Sequence, residues 1–209
     1  IKELFNTLLV LSKENSKHLL PGYTHLQSAM PSSFGLWFSS YAENMIDDVL
    51  YFNTAFQIND QNPLGSAAGY GSSFNIDRKM TTNDLGFSDL KYNVVAAQMN
   101  RGKIEKSIAI AISSIASTLS TFCSDICLYM TQELNFVSFP DELTTGSSIM
   151  PHKKNPDVFE LVRAKCNSLK SLPNEFLIMS NNLTSGYHRD LQVYKGKRSE
   201  ERFSRNAET

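Results

Sequence analysis

The sequence predicts an all-α fold, a bundle of long helices. Between Ile104 and Leu134, apolar side chains recur every three or four residues, which is the spacing of one helix face. A second segment, from Ser33 to Asn59, has the same period. No segment alternates convincingly between apolar and polar residues, so we expect essentially no sheet. A single helix about 45 Å long cannot bury such a stripe, whereas several packed helices can.

The predicted helices are separated by segments rich in glycine, proline and small polar residues. The first helix carries leucines at helical spacing and ends at Pro21-Gly22, and the second begins at Ser33, a favourable N-cap residue. The connection from Asp60 to Asn75 is long and irregular, which is typical of functional or disordered loops. The remaining helices are expected from about Asp77 to Leu85, where Gly86 follows, from Tyr92 to Leu134, and from Pro156 to about Met179 with a break near Pro173.

The length and charge of the chain exclude some classes of function. The 209 residues carry a formal net charge of −1, so no surplus of positive charge is directed at nucleic acid or at a membrane surface. No uninterrupted apolar run reaches the roughly 18 residues that span a bilayer. The chain opens on Ile1 inside a predicted helix, so we expect a fragment of a longer polypeptide. In this interpretation residues 1–195 form a central helical-bundle domain, and residues 196–209 are a polar tail or the start of the next segment.

The three cysteines predict free thiols. Cys123 and Cys127 lie one helical turn apart, a spacing at which a disulfide is not expected. Cys166 provides no second pair for a zinc site. We therefore expect buried thiols in a reducing cytoplasm, and neither a metal ion nor a cofactor.

The most informative stretch runs from Gly146 to Pro156 and reads GSSIMPHKKNP. Gly146 gives the backbone conformational freedom, and two serine hydroxyls follow it. Lys153 and Lys154 add positive charge, and Asn155-Pro156 is predicted to start the next helix, with asparagine as the N-cap and proline at the first helical position. A helix N-terminus beside two ammonium groups is suited to bind a carboxylate or a phosphate.

Three further polar segments interrupt the helices, and catalytic groups are commonly placed in such connections. They are Pro21 to Gln27 (PGYTHLQ), Ser66 to Ser73 (SAAGYGSS) and Ser185 to Lys195 (SGYHRDLQVYK). A single histidine in a turn, such as His25, is by itself more often structural than catalytic. The occurrence of these segments together, in this order, is what makes them informative.

The stretch from Gly146 to Pro156 resembles the signature of the aspartase/fumarase superfamily, Gly-Ser-Ser-x-Met-Pro-x-Lys-x-Asn-Pro, at every fixed position. Pro21 to Gln27 is similar to the Thr-His segment of the argininosuccinate lyase branch, and Tyr187 to Lys195 resembles its Tyr-x-x-Asp-x-Gln-x-x-Lys pattern. The resemblance extends from the first helix to Lys195. It implies the long-helix bundle that forms the central domain in this superfamily.

The resemblance implies a reversible β-elimination in which argininosuccinate gives arginine and fumarate. Removal of a weakly acidic proton beside a carboxylate requires a base and positive charge that stabilises the dianion. By resemblance, Ser147 is this base, and Lys153 supports its alkoxide, the substrate carboxylate or both. Asn155 and the following helix N-terminus are expected to hold the carboxylate.

The departing guanidino nitrogen also needs a proton, for which His25 is suited near neutral pH. The resemblance implies that Glu160 pairs with this histidine, although a glutamate near a helix N-terminus is also favourable in its own right. Direct donation by His25, donation through water and a purely positioning role all stay open. The expected substrate-binding residues are Thr24, Asn155, Tyr187, Gln192 and Lys195, and Arg101 is a further candidate whose role stays open.

The resemblance further implies a homotetramer in which each active site combines segments from three subunits, with no nucleic-acid or membrane partner. One alternative is another fumarate-releasing lyase of the superfamily, such as adenylosuccinate lyase, fumarase or aspartase. A second alternative is a non-catalytic structural protein like the δ-crystallins, but Ser147, His25, Glu160 and Lys153 are all present. A generic helical interaction domain leaves the four polar segments unexplained.

Overall fold

The computed structural model describes residues 1–146, 149–150 and 152–193, and within them the chain is mainly helical, as the sequence predicts. The helices are α1 (Lys2–Glu14), α2 (Phe34–Asn59), α3 (Arg78–Asp84), α4 (Val94–Met99), α5 (Lys103–Tyr129), α6 (Asp157–Leu169) and α7 (Leu172–Met179). Short strands pair as β1 (Leu19–Thr24) with β2 (Gln27–Ser33), β3 (Gln61–Asn62) with β4 (Asp89–Leu90), and β5 (Thr145–Gly146) with β6 (Lys154–Asn155). The β3–β4 pair is parallel and the other two are antiparallel.

The expectation of essentially no sheet is wrong, most clearly for the hairpin of β1 and β2. Most of its side chains are at least partly exposed and Leu20 alone is buried, so neither strand shows the alternation that marks a half-buried sheet. Pro21 lies opposite Pro31, which is tolerated because both strands of a two-stranded sheet are edges. The first helix consequently ends at Glu14 rather than at Pro21-Gly22.

The predicted helix from Tyr92 to Leu134 is interrupted. Gly102 has a φ of 87°, a left-handed conformation that glycine adopts without steric cost, and it separates α4 from α5. The Gly102 N–H donates to the Glu105 carboxylate at 2.7 Å, so the corner is also capped. Helix α5 ends at Tyr129, earlier than expected. Two further predictions are correct: Asp77 caps α3 by accepting from a backbone N–H, and a break separates α6 from α7.

The described chain forms two compact units, each considered by itself. The first unit comprises Ile1–Tyr51 and Ala111–Lys170, and the second comprises Phe52–Ile110 and the chain from Ser171. Because α2 and α5 are long, each contributes residues to both units. The predicted boundary of a domain at residue 195 lies outside the described residues and stays a prediction.

The first unit is held together where α1 and α5 pack against α2. Helices α1 and α2 approach so closely at Gly35 that a Cβ there would lie 2.6 Å from the backbone oxygen of Ser12. The carboxylate of Asp125 on α5 accepts hydrogen bonds from the Trp37 indole at 2.9 Å and the Tyr41 hydroxyl at 2.5 Å. The buried core residues are Leu8, Tyr41, Ala42 and Met45, packed against Leu4, Phe5, Trp37, Phe38 and Phe122.

The second unit contains the long irregular connection after α2, and buried polar contacts fix it. The side chain of Asn62 is fully buried, donates to the Thr82 hydroxyl at 2.9 Å and accepts from the backbone of Leu64 at 3.0 Å. The Arg78 guanidinium donates to three backbone carbonyls on both sides of the connection, those of Leu64, Lys91 and Tyr92. Hydrogen bonds from Asn62, and from Arg78 on α3, therefore hold this connection in place within the unit.

Helix α5 is long and apolar enough, by length and composition, to cross a membrane, and among the described helices it alone meets that criterion. Scattered serines interrupt the apolar run of this helix without lowering its average hydropathy much, so the sequence has no uninterrupted apolar stretch here. In the first unit, however, Ser114 and Asp125 of α5 form hydrogen bonds with residues of α2. The core helix of a helical bundle passes the same test of length and composition.

Candidate active site

The serine loop is the part of the chain between β5 and β6, and these two strands pair with each other to form its stem. In the antiparallel pair of β5 and β6, Thr145 lies opposite Asn155 and Gly146 opposite Lys154. The pairing brings together the two ends of the stretch from Gly146 to Pro156. Ser147, the predicted base, lies outside the described residues.

Side-chain hydrogen bonds fasten this stem to the start of α6. The Thr145 hydroxyl donates to the Asp157 carboxylate, and the Asn155 amide donates to the Thr145 hydroxyl at 3.4 Å. The prediction that Asn155 is the N-cap is wrong by one residue: Pro156 is the cap and α6 starts at Asp157. The strand pairing extends the backbone of Asn155, so its amide points to the stem rather than to the first turn of the helix.

The two lysines of the stretch differ in their surroundings. The Lys154 ammonium forms an ion pair with Asp141, in the short 3₁₀ turn before β5. No described residue is an ion-pair or hydrogen-bond partner of the Lys153 ammonium, which is exposed. Within the described part of the chain, Lys154 is thus the paired lysine of this stretch and Lys153 the exposed one without such a pair.

A cleft of about 510 Å³ lies beside the stem and contains three of the predicted site residues, Lys153, Asn155 and Glu160. The lining carries the positive charges of two lysines and an arginine against the negative charges of two glutamates, so the cleft is suited to hold an anionic molecule together with a proton-transfer group. The lining is Cys127, Met130, Thr131, Gln132, Glu133, Met150, His152, Lys153, Lys154, Asn155, Pro156, Glu160 and Arg163.

Two chemically active residues of the cleft, Arg163 and Cys127, were not predicted from the sequence to belong to the site. Arg163 lies on the same face of α6 as Glu160, and the two charged groups are 3.7 Å apart. Their separation of three residues on a helix is the signal from which the pair could have been predicted. Cys127 comes from α5, and only folding brings it to α6. Burial raises the pKa of the Cys127 thiol, the charge of Arg163 opposes that rise, and Glu160 adds to it.

All three cysteines are free thiols, as predicted. Cys123 and Cys166 are buried, and Cys127 is only partly so. Burial raises the pKa of Cys123 to about 11, and its neighbouring thiols add to the effect. Among the described residues, no cluster of three or more histidine, cysteine, aspartate or glutamate side chains is arranged to hold a metal ion.

Thr24 and His25 lie at the tip of the β1–β2 hairpin. Thr24 pairs with Gln27, which leaves His25 and Leu26 as a two-residue turn. Both turn residues have positive φ, 54° and 59°, as in a type I′ turn that would ordinarily contain asparagine or glycine. A histidine and a leucine in this conformation carry steric strain, and such strain is concentrated at functional sites. The turn holds the exposed imidazole at the end of the hairpin.

A second group of predicted residues lies in the second unit. The Gln192 amide donates to the Tyr187 hydroxyl at 2.8 Å, so two predicted substrate-binding residues are in direct contact. The guanidinium of Arg101 lies over the Tyr187 ring, 5.8 Å from its centroid. Lys195, the remaining predicted residue of this segment, lies outside the described residues.

The polar segment from Ser66 to Ser73 contacts this second group of residues. A Cβ placed on Gly186 would lie 3.6 Å from the Tyr70 hydroxyl, so the two segments are in contact beside Tyr187. Gly69, with a φ of 99°, approaches the side chain of Gln98, whose Cγ would be 2.6 Å from an added Cβ. The sequence identified this segment as polar and glycine-rich but assigned no role to any of its residues.

Some of the predicted site residues are thus brought together and others are not. Lys153, Asn155 and Glu160 share the cleft of the first unit. The described residues that line this cleft include neither Thr24 nor His25 of the hairpin. Tyr187 and Gln192 form a separate contact in the second unit.

A helical scaffold whose connections place an ammonium group, a carboxylate and an amide around one cleft is equipped for acid–base chemistry on an anion. The sequence pattern of the lyase family matches residues 1–169, and the chain belongs to this family. The family match gives the class of protein, a lyase.

Curated relatives test the resemblance that the motifs indicate. The chain is 58% identical over 195 residues to an argininosuccinate lyase from Phocaeicola vulgatus. The aligned region covers 93% of this chain and 44% of that protein. It is 42% identical over 207 residues to an argininosuccinate lyase from Xylella fastidiosa, covering 94% of this chain and 46% of the relative. The resemblance to the argininosuccinate lyase branch is confirmed. The chain spans less than half of the length of these relatives.

Solved structures confirm the bundle fold. A crystal structure of EDDS lyase in complex with formate superposes with a TM-score of 0.85 and 24% sequence identity, over 90% of this chain and 37% of that one. At this identity the likeness concerns the fold alone. The all-α prediction is correct, with the hairpin as its main exception.

Proposed function

We propose that this chain is part of an argininosuccinate lyase, which converts argininosuccinate reversibly into arginine and fumarate. The observation that carries the proposal is the 58% identity to proteins of that name over 93% of the chain. The cleft supports it, because a cation, an amide donor and a carboxylate are the groups that a β-elimination next to a carboxylate requires.

In the proposed mechanism Ser147 removes the proton next to the substrate carboxylate. Electrons move from the broken C–H bond into the forming C=C bond of fumarate, and the C–N bond to the guanidino group breaks. Lys153 and Asn155 stabilise the negative charge that accumulates on the carboxylate before that bond breaks. The exposed Lys153 lines the cleft, which supports this assignment, because Lys154 is already paired with Asp141.

His25 is proposed to supply the proton that the departing nitrogen needs, with Glu160 as its carboxylate partner. A carboxylate beside an imidazole orients the ring and favours its protonated form. The hairpin tip supports such a role, because it exposes His25 in a fixed backbone conformation. Thr24, Tyr187, Gln192 and Lys195 are proposed to bind the substrate.

The active protein is proposed to be a homotetramer in the cytoplasm, with active sites shared among three subunits. Large apolar side chains on α2 support association, since Leu36, Ile46 and Phe56 are each more than half exposed in the single chain. Sharing of the sites would bring the hairpin of one subunit to the cleft of another. The free thiols are consistent with a reducing compartment.

Fumarate release, followed by its ultraviolet absorbance, tests the proposal. The full-length protein is incubated separately with argininosuccinate, adenylosuccinate, malate and aspartate, and release from argininosuccinate alone is expected. Release from a different substrate would support the proposed reaction class but refute argininosuccinate as the substrate. Release from none of them would leave a structural protein as the better interpretation.

The role of Ser147 is tested by Ser147→Ala in the full-length protein. Turnover is expected to be abolished while argininosuccinate still binds, because the hydroxyl acts on the proton and contributes little to ground-state affinity. Isothermal titration calorimetry measures the binding. An unchanged kcat would refute Ser147 as the base.

A further inference from the structure

We propose that Arg101 is a positioning residue of the substrate site, and that it acts by holding the ring of Tyr187 in place. The proposal rests on the proposed function, since Tyr187 is the substrate-binding residue through which Arg101 acts. The sequence left the role of Arg101 open.

The contact between Arg101 and Tyr187 is of the cation–π type. The guanidinium carbon is 5.8 Å from the ring centroid, within the distance at which a cation is attracted to the face of an aromatic ring. Gln192 holds the other end of the same side chain, through its hydrogen bond to the hydroxyl at 2.8 Å. The Tyr187 side chain is 48% exposed, so burial alone does not fix its orientation. Arg101 and Gln192 together provide that constraint.

Arg101 itself is held at a rigid corner between two helices. Its N–H donates to the carbonyl of Gln98 in the last turn of α4, at 3.3 Å. The next residue, Gly102, adopts a left-handed φ of 87°, and the Glu105 carboxylate caps the corner by accepting from the Gly102 N–H. A side chain that starts from such a corner loses less freedom on contacting Tyr187 than one on a mobile loop would.

The loop that carries Tyr187 is also fastened next to Arg101. The ring Nε2 of His188 is 2.9 Å from the backbone oxygen of Thr184, which closes the loop on itself. Arg101, Thr184 and His188 line one small cavity of about 90 Å³. The guanidinium therefore contacts a preformed loop, and the geometry favours a role in orienting Tyr187 over a role as a free surface charge.

A double-mutant experiment separates positioning from direct contact with the substrate. Arg101→Met, Tyr187→Leu and the double variant are prepared in the full-length protein, and kcat and KM for argininosuccinate are measured. We expect Arg101→Met to raise KM about fivefold, with kcat changed by less than about twofold, because an exposed cation–π contact is worth a few-fold in affinity. In the Tyr187→Leu background the same substitution should change KM by less than about 1.5-fold.

Two further variants test the chemistry of the contact. Arg101→Lys retains the positive charge, so its KM should stay within about twofold of the wild-type value. Lys103→Met, which removes an exposed charge two residues away, is the matched control and should have wild-type kinetics. If Arg101→Met does not fold, as judged by thermal unfolding, Arg101→Gln takes its place with the same expectations.

Three results would overturn the positioning role. They are an unchanged KM in Arg101→Met, a rise in KM that persists in the Tyr187→Leu background, and an equal rise in Arg101→Lys. The second of these would instead indicate that Arg101 contacts the substrate directly. A wild-type protein that releases no fumarate from argininosuccinate is a different failure, that of the proposed function.

Discussion

The carboxylate of Glu160 lies 3.7 Å from the guanidinium of Arg163, one turn further along α6, and both side chains line the cleft beside Lys153. About half of the Glu160 side chain, 51%, is exposed. An ion pair this accessible to water contributes little to stability, so Arg163 does not hold the glutamate firmly. Glu160 can therefore pair with a second cation, and the cation proposed for it is the protonated His25.

Glu160→Gln is expected to lower kcat about 10- to 100-fold in the full-length protein, because the proton-transfer group loses its charged partner. Arg163→Met removes the other half of the ion pair and should leave kcat within about threefold. Steady-state fumarate release measures both. Equal losses in the two variants would show that the ion pair with Arg163, and not a second partner, is what Glu160 contributes.

Lys153 and Lys154 provide a matched pair, since they are adjacent and both line the cleft. Lys153→Met should lower kcat at least about 100-fold, the typical loss when a group that stabilises developing negative charge is removed. Lys154→Met should lower it less than about tenfold, because the Lys154 ammonium is paired with Asp141. Single-turnover kinetics measure the chemical step. A larger loss in Lys154→Met would reverse the assignment.

Periodicity predicted the fold well where burial follows a helical face, as in α2 and α5. It failed for the hairpin, because strands with two largely exposed faces have no alternation to detect. It also missed the break before α5, since one glycine inside an apolar pattern does not reveal whether its φ is positive. The left-handed conformation of Gly102 is a property of the folded corner.

The site could be predicted to the extent that it is local in sequence. Lys153, Asn155 and Glu160 are within eight positions of one another, and the structure places them in one cleft. Cys127 reaches the same cleft only through the packing of α5 against α6, which no local pattern contains. The role of His25 stays a prediction, because its pairing with Glu160 is proposed to occur between subunits of the proposed tetramer.

Cysteine labelling is expected to report on the cleft. Cys127 is the partly exposed thiol that lines it, whereas Cys123 and Cys166 are buried. At pH 8, iodoacetamide should label Cys127 fastest, because burial keeps the pKa of Cys123 at about 11 and its thiol protonated. Peptide mass spectrometry identifies the labelled site. Added argininosuccinate or fumarate should slow the labelling of Cys127 severalfold, and no protection would argue against substrate binding in this cleft.

The strain at the hairpin tip can be measured at Leu26, which has a φ of 59° and is 76% exposed. Leu26→Gly should raise the free energy of unfolding by up to about 1 kcal/mol, because glycine adopts this conformation without the steric penalty that other residues have. Leu26→Val should lower it by about 1 kcal/mol, since a β-branched side chain is worse there. Thermal unfolding measures both. Equal stabilities would indicate an unstrained turn.

The hydrogen bond from Tyr41 to Asp125 predicts how stability depends on alkaline pH. Burial, followed by the hydrogen bond to Asp125, raises the pKa of Tyr41 above its ordinary value of about 10. Below pH 10 the hydroxyl is protonated in both the folded and the unfolded chain, and the stabilisation is fully present. Above pH 10 the unfolded chain releases a proton that the folded protein retains, so stability falls as pH rises, by up to about 1.4 kcal/mol per pH unit.

Tyr41→Phe should therefore reduce the alkaline slope of the free energy of unfolding, even though it also lowers stability at neutral pH by removing a partly buried hydrogen bond. Urea unfolding between pH 8 and pH 11, followed by circular dichroism, gives the slope. Tyr51→Phe is the matched control, because Tyr51 is an exposed tyrosine on the same helix. If the wild type and Tyr41→Phe lose stability in parallel above pH 10, the proton on Tyr41 is not the one that the folded protein retains.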